Sequence, residues 1–492
     1  MSSFALTTSS GSGNEGSRRP SALRWVALAA AVVLALGVGH DLLHMPLQIG
    51  DSLAPLLDAA RASSPWSEFQ AHLREDGYFR PMRFAIITLV SDLANGHYFL
   101  AYRLFHALLV LAFLVLFVRA LEVRDRLTLA VAPLALTVFV GIHTFLGTVK
   151  EIYPTNHFLQ IAVLALLALN LAQSKGGLLV DVTLLVAFTI AALTLESGLL
   201  VWVVIVSAWI SGMPGVSRRA VIGVTALVGG YALLRFGIFG TGLPTVQERS
   251  TGFLLEALDP PQIRERFGDN LLPLYIYNVA SSISSVLFSE PRSGVWVFVR
   301  AIRGGELAPR HFIQIGASLF ATGLLLTYVV ARIRSGIRRP VTLADRHMVI
   351  FAVVLAASAA MSYVYTKDEI MSTAGAFYAL AVAGAAVYFL RTWPPHARGW
   401  QATAVVCVVC FAGSAAWATR AAGVHHVLRS QAFVQRNDWT RLDREWNRDG
   451  TWERYRAQEA LVRELRREAI STRVVNPRFE PRWMERVFDI NY

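Results

Sequence analysis

The chain has 492 residues, 54% of them hydrophobic and 16% charged, with a formal net charge of +12 and a mean hydropathy of +0.46. Apolar stretches of about 18 or more residues, each long enough to cross a ~30 Å hydrocarbon layer, recur from one end to the other. This excludes a soluble enzyme, and the arginines gather at the ends of apolar runs and in the tail, as membrane topology rather than nucleic-acid binding requires.

In chain order, residues 1–23 are polar and Ser/Gly-rich and are expected to be disordered. Arg18, Arg19 and Arg24 then precede the apolar run 25–39, and no small-residue cleavage site follows. That reads as an uncleaved signal anchor with its N-terminus in the cytoplasm. Ten more runs follow, at 98–118, 128–146, 158–174, 178–194, 197–211, 219–239, 311–331, 347–366, 373–390 and 401–419. The expected fold is therefore an all-α polytopic membrane protein of about eleven transmembrane helices in the bacterial inner (plasma) membrane. Residues 178–211 are too long for one crossing, and the polar break "TLESG" predicts a hairpin there.

Threaded alternately, the inner loops carry Arg119, Arg124, Arg126, Lys175, Arg218, Arg219, Arg332, Arg334, Arg391 and Arg398. The short outer loops carry only Lys150 and Lys367, two of just three lysines in the chain. This asymmetry is what the positive-inside rule predicts. Two outer loops, 40–97 and 240–310, are long. In the first, Leu53, Leu56, Leu57, Phe69 and Leu73 recur at helical spacing between charges, which predicts amphipathic helix lying in the interface. The second holds "LLPLYIYNVASSISSVLF", a re-entrant or interfacial candidate, and the basic residues Arg249, Arg264 and Arg266. Residues 420–492 form an extracytoplasmic tail, in which Leu461, Val462 and Leu465 share one face of a helix. Its arginines also suit an anionic lipid surface. Cys407 and Cys410 lie in an apolar helix and read as packing residues rather than a redox pair.

Four polar clusters then share the outer face: Asp51 with Asp58, Lys150–Glu151 with His157, Glu196, and Lys367–Asp368–Glu369, joined by Arg80 and Arg83. A carboxylate such as Glu196 at membrane depth costs about 2.5–3.5 kcal/mol on insertion scales, which favours a functional or paired role. Asp51 also suits a helix N-cap. The histidines lack zinc-site spacing.

Several stretches carry a family resemblance. "YFRPMRFAIITLVSDLANGHYFLAYRLFHALLVLAFLVLFVRAL" (78–121) is similar in order and residue type to "YRPL" followed by "HLxNLLLHALNAxLVYLLxRRL". "LTLESGLLVWVVIVSAWI" (193–210) is similar to "LSKExxLVLPLLLLLYD", with Leu195 in place of the usual Lys. "SYVYTKDEIMSTAGAFYALAVAGAAVYFL" (362–390) is similar to "RYLYLPSxGxxLLLA", without the Pro and the preceding Arg. Together they resemble the GT-C superfamily of membrane glycosyltransferases, in its protein O-mannosyltransferase-like branch. Adjacent acids are usual in that branch's first loop, and here Asp51 stands alone.

The resemblance implies transfer of a sugar from a polyprenyl-phosphate donor to a glycan, lipid or protein acceptor on the extracytoplasmic face. It makes Asp51 the candidate general base, with Glu151 orienting the acceptor or assisting an Mg²⁺ or Mn²⁺ ion. Arg80, Arg83, Lys150 and Lys367 are candidates to hold the departing lipid phosphate, with His157, Glu196 and Asp368 completing the lining. A surface-polysaccharide polymerase or ligase, a transporter or flippase of a lipid-linked sugar, and a non-catalytic scaffold are the competing readings.

Overall fold

The computed structural model describes residues 22–74, 79–240, 258–291, 293–336, 341–393, 399–442, 455–477 and 480–488. Most of the segment 1–23, Arg398 and Arg249 lie outside these ranges.

The described residues are mostly helical, and several helices start where the sequence supplies a side-chain cap. Asp125, Asn156, Ser217 and Thr342 each accept a hydrogen bond from the third residue of the helix that follows, which satisfies a backbone donor that would otherwise be orphaned. Among the described residues, seven helices are long and apolar enough to cross a membrane. They are α1 (Ala22–Leu43), α5 (Tyr98–Ala120), α11 (Arg218–Ala232, extended to Ile238), α15 (Pro309–Arg334), α16 (Leu343–Met361), α17 (Ser372–Thr392) and α18 (Gly399–Thr440). The number rises to as many as nine if each of two bent pairs is one span: α6 (Arg126–Gly141) with α7 (His143–Lys150) at 53°, and α12 (Pro260–Phe267) with α13 (Leu272–Phe288) at 101°. Three shorter apolar helices complete the bundle: α8 (His157–Ala172), α9 (Leu178–Thr194) and α10 (Leu199–Ile210).

The predicted hairpin is present as α9, a 3₁₀ turn over Glu196–Gly198, and α10 packed back on α9. Gly198 sits so close to this return that a Cβ on it would lie 2.0 Å from the Ala191 carbonyl oxygen. At the centre of the bundle is α17, whose small residues let neighbours approach. A Cβ on Gly375 would fall 2.0 Å from Thr144 Oγ1 of α7.

Polar contacts between helices tie both ends of the bundle. At one end Arg391 donates to Asp125 (2.6 Å), Ser217 to Asp181 (2.8 Å), Gln173 to the Ala120 carbonyl (3.0 Å), and Arg332 binds Asp345 through two nitrogens. At the other end lie the first loop, the α7–α8 and α9–α10 connections and the loop between α16 and α17.

The first loop departs from the sequence expectation. Leu53, Leu56, Leu57 belong to α2 (Gly50–Ala59) and Phe69 to α3 (Pro65–Ala71), two helices rather than one. Ser64 caps the second and Pro65 opens it, so the chain cannot run through as one helix. The three leucines are buried in the protein core, not laid on lipid. A third helix, α4 (Pro81–Ala94), leads into α5.

At ~1.5 Å per residue, the 42 residues of α18 exceed any bilayer crossing, and its second half rises beside the first loop. Trp439 Nε1 donates to the Leu47 carbonyl at 2.6 Å, and His425 and Arg429 flank Asp41 at the end of α1. Tyr455 donates to Asp58 at 3.1 Å. The helix α19 (Glu459–Ser471) buries Val462 and Leu465, and Glu468 accepts from the Phe99 amide that begins α5. A last short helix, α20 (Arg482–Phe488), packs on α18. The described tail is thus docked on protein. Cys407 and Cys410 lie on the outward side of α18, Cys407 exposed and Cys410 half-buried, rather than in the core.

Candidate functional site

The α6–α7 break builds one wall of the site. Ile142 adopts an extended conformation between the two helices, and Arg420 Nε donates to the freed Gly141 carbonyl at 2.9 Å. A helix interrupted at membrane depth needs this kind of internal partner. The bend aims α7 so that it ends at Lys150 and delivers Glu151 into the interior.

The loop that follows is fastened by Asn156. Its Nδ2 donates to the Thr148 carbonyl (2.7 Å) and the Glu151 carbonyl (3.0 Å), and lies 3.2 Å from His106 Nε2, while its Oδ1 caps α8 through the Leu159 amide (3.1 Å). The chain turns back here because Asn156 satisfies both the helix that ends and the helix that starts.

Opposite this loop stands the connection between α16 and α17. Glu369 is buried there, and its carboxyl is close enough to that of Glu151 to raise its pKa. Burial and this neighbouring carboxyl push Glu151 up to about 7, against the pull of Lys150 and Lys367 in the other direction. His157, at the head of α8, sits in the field of Arg83, Arg80 and Lys367. Arg83 is buried and faces the Tyr153 ring at 5.9 Å. Beside it, Glu196 is gripped from two sides, by Arg80 Nε at 3.3 Å and by Arg235 Nη2 at 3.4 Å, and it also accepts from the Phe79 amide. The aromatic rings of Tyr231 and Phe239 pack on Phe79 behind this group.

Of the residues singled out from sequence, Arg80, Arg83, Lys150, Glu151, His157, Glu196 and Lys367 therefore gather at one end of the bundle. Asp368 is close by but turns inward, with Oδ1 3.6 Å from His143 Nε2 at the start of α7. Asp58 points to the tail through Tyr455. Asp51 does not cap α2, whose N-cap is Ile49. It is the second residue of that helix, and its side chain lies outside the described residues. The backbone places it next to the Glu151 loop, since Ser52 Oγ donates to the Ile152 carbonyl at 3.4 Å.

Two members carry no role in the sequence reading. Arg235 is buried inside a π-helical turn, Leu233–Ile238, that prolongs α11 and swings it towards Glu196. Its signal was an arginine inside an apolar run, and π turns recur at functional sites. Glu369 belongs to the Lys367–Asp368–Glu369 cluster noted from sequence, but only the tertiary fold reveals its partner.

Glu151 and Glu369 are the paired carboxylates here that could ligate the Mg²⁺ or Mn²⁺ ion considered above. Among the described residues no group of three or more His, Cys, Asp or Glu converges as metal ligands.

The fold thus brings the carboxyls of Glu151 and Glu369 to the end of the bundle where Arg80, Arg83, Lys150 and Lys367 also lie. Comparison of the chain with known protein families, with curated proteins and with solved structures finds no match.

Proposed function

We propose that this protein is a membrane glycosyltransferase of GT-C type, moving a sugar from a polyprenyl-phosphate donor to a hydroxyl acceptor on the extracytoplasmic face. In this reading α8, α9, α10 and the bent α6–α7 pair cross the membrane with the seven longer helices, giving eleven crossings with the N-terminus in the cytoplasm. The α12–α13 pair is re-entrant or interfacial, and the tail is extracytoplasmic.

The observation that carries the reading is the carboxyl pair Glu151–Glu369 beside a group of cations, at the end of the bundle where the positive-inside threading puts the outside. Each half of the arrangement answers one need of the reaction. The acceptor oxygen attacks the sugar's anomeric carbon, the bond from that carbon to the phosphate oxygen breaks, and the acceptor's proton must leave. Glu151, with a pKa near working pH, takes that proton. Arg80, Arg83, Lys150 and Lys367 meet the charge that grows on the departing phosphate. Asp51, which the family resemblance makes the candidate general base, precedes Ser52, whose hydroxyl meets the Ile152 carbonyl. Against the transporter reading, Arg80, Lys150, Glu151 and Lys367 lie at helix ends or in loops, and the halves of the sequence do not repeat.

The test is turnover in detergent, with no second compartment present. Purified protein is offered a panel of polyprenyl-phosphate hexoses with solubilised envelope material as acceptor, and release of polyprenyl phosphate is followed. Release that falls about 10²-fold or more in Glu151→Gln supports the reading. Absence of release across the whole panel with the wild-type protein defeats it.

A further inference from the structure

Arg103 stands on α5, about 7.5 Å along the axis from Tyr98, where the helix begins, at ~1.5 Å per residue. It is 1% exposed, on a helix packed against α1, α4 and α8. Its Nε, Nη1 and Nη2 are all buried, and none has a hydrogen-bond partner; among the described residues no other arginine is in this state. A guanidinium keeps its proton in a protein, so the charge cannot be shed. Glu468 of α19 is the acid whose field reaches it. That carboxylate, however, accepts from the Phe99 amide at 3.4 Å and makes no hydrogen bond to Arg103.

Three residues on, and so on the same face of α5, is His106, also 1% exposed and within the field of Arg103. Its Nε2 lies 3.2 Å from Asn156 Nδ2, an amide nitrogen that donates and does not accept. The ring hydrogen therefore belongs on Nδ1. That nitrogen too is buried and without a hydrogen-bond partner among the described residues. Two neighbouring side chains thus offer only donors to the interior, one of them a full positive charge.

We infer that Arg103 and His106 form a site for a small monovalent anion of the halide class, chloride above all. Buried charges persist in proteins when they are paired, and charges at membrane depth most of all. One guanidinium calls for one negative charge, which a halide supplies and a sulfate or doubly ionised phosphate exceeds. A halide accepts from guanidinium and imidazole N–H groups together, with no lone-pair direction to satisfy. The enclosure of both side chains separates this site from Arg80, Arg83, Lys150 and Lys367, and the inference does not depend on the function proposed above. Bound here, the anion links α5 to the loop that Asn156 fastens.

The experiment follows thermal unfolding of the purified full-length protein in detergent, at fixed pH and ionic strength, as sodium gluconate is exchanged for sodium chloride. The melting temperature is expected to climb saturably, by about 3 °C or more at ~150 mM chloride, because the anion binds the folded state alone. Bromide should act likewise, and sulfate should not. Arg103→Gln removes an unbalanced buried charge, so it should fold, and its melting temperature should ignore halide. His106→Ala keeps the charge but loses the N–H, and should need about tenfold more chloride for the same rise. A measurement free of variants is the chloride NMR line, which the wild-type protein should broaden and added bromide should sharpen again. Equal wild-type melting in chloride and gluconate, an equal rise with sulfate, or a halide response retained in Arg103→Gln overturns the site. An unshifted chloride midpoint in His106→Ala, or a chloride line that bromide leaves unchanged, does so as well.

Discussion

Arg80 Nε donates to Glu196 Oε2 at 3.3 Å, joining the first loop to the α9–α10 turn. Arg235, 3% exposed in its side chain, approaches the other carboxylate oxygen at 3.4 Å, so Glu196 neutralises a guanidinium that has little access to water. Glu196→Gln leaves that buried charge uncompensated and is expected to cost about 3–5 kcal/mol, the usual result of removing one partner of a buried pair. Thermal unfolding of the purified variant in detergent measures it. A melting temperature equal to wild type would show that the ion pair carries no structural load.

The Glu151–Glu369 carboxyl pair makes turnover depend on pH. As base, Glu151 works only when ionised, so the rate should rise with pH through about 7 and level off above it. Replacing the neighbour by Glu369→Gln removes a like charge and should move the rise to lower pH. A rate profile flat from about pH 5.5 to 8 would remove Glu151 from the proton transfer.

The same pair sets a stability trend. Folding lifts the Glu151 carboxyl from its ordinary 4.5 to about 7. Its contribution is fully present below about 4.5 and is lost as pH rises through about 7, because the folded state resists ionisation that the unfolded chain accepts. At pH 8, Glu151→Gln should therefore be more stable than wild type, by up to roughly 3 kcal/mol. Equal denaturant midpoints at pH 8 would count against the burial of this carboxyl.

Asn156 holds the loop that presents Glu151. Asn156→Ala deletes the cap of α8, worth about 1 kcal/mol, and strips the Thr148 and Glu151 carbonyls of a donor, adding about 1–3 kcal/mol. Loss of turnover should accompany the loss of stability. Asn156→Asp keeps the cap but not the donor, and should recover only the smaller part of the melting temperature.

The contact between α17 and α7 is equally specific. Gly375→Ala places a methyl 2.0 Å from Thr144 Oγ1 and should destabilise. Adding Thr144→Ala removes that oxygen and should restore part of the loss, a coupling that a double-mutant cycle reads directly. Purely additive effects would mean the two helices are not in contact there.

The two ends of the bundle can be assigned by labelling. In a background without Cys407 and Cys410, Lys175→Cys and Glu306→Cys place exposed thiols at opposite ends. A membrane-impermeant maleimide should reach position 306 from outside and position 175 only after the membrane is opened. Reaction of both from the same side would break the eleven-crossing threading.

The sequence by itself determined what depends on local composition. Apolar length marked α1, α5, α6, α8 to α11 and α15 to α18, because a chain in lipid must close its own backbone hydrogen bonds segment by segment. Polar breaks such as "TLESG" and "KEIYPTN" marked the turns, and lone charges beside apolar runs picked out Arg80, Arg83, Glu151 and Glu196. What it could not supply was which distant charges meet. Glu369 opposite Glu151 and Arg235 beneath Glu196 are set by the kink at Ile142 and the π turn in α11, each a consequence of packing against other helices. The burial of Leu53, Leu56 and Leu57 shows the same limit: periodicity gives a helix its apolar face, but only the assembled bundle decides whether that face meets lipid or protein.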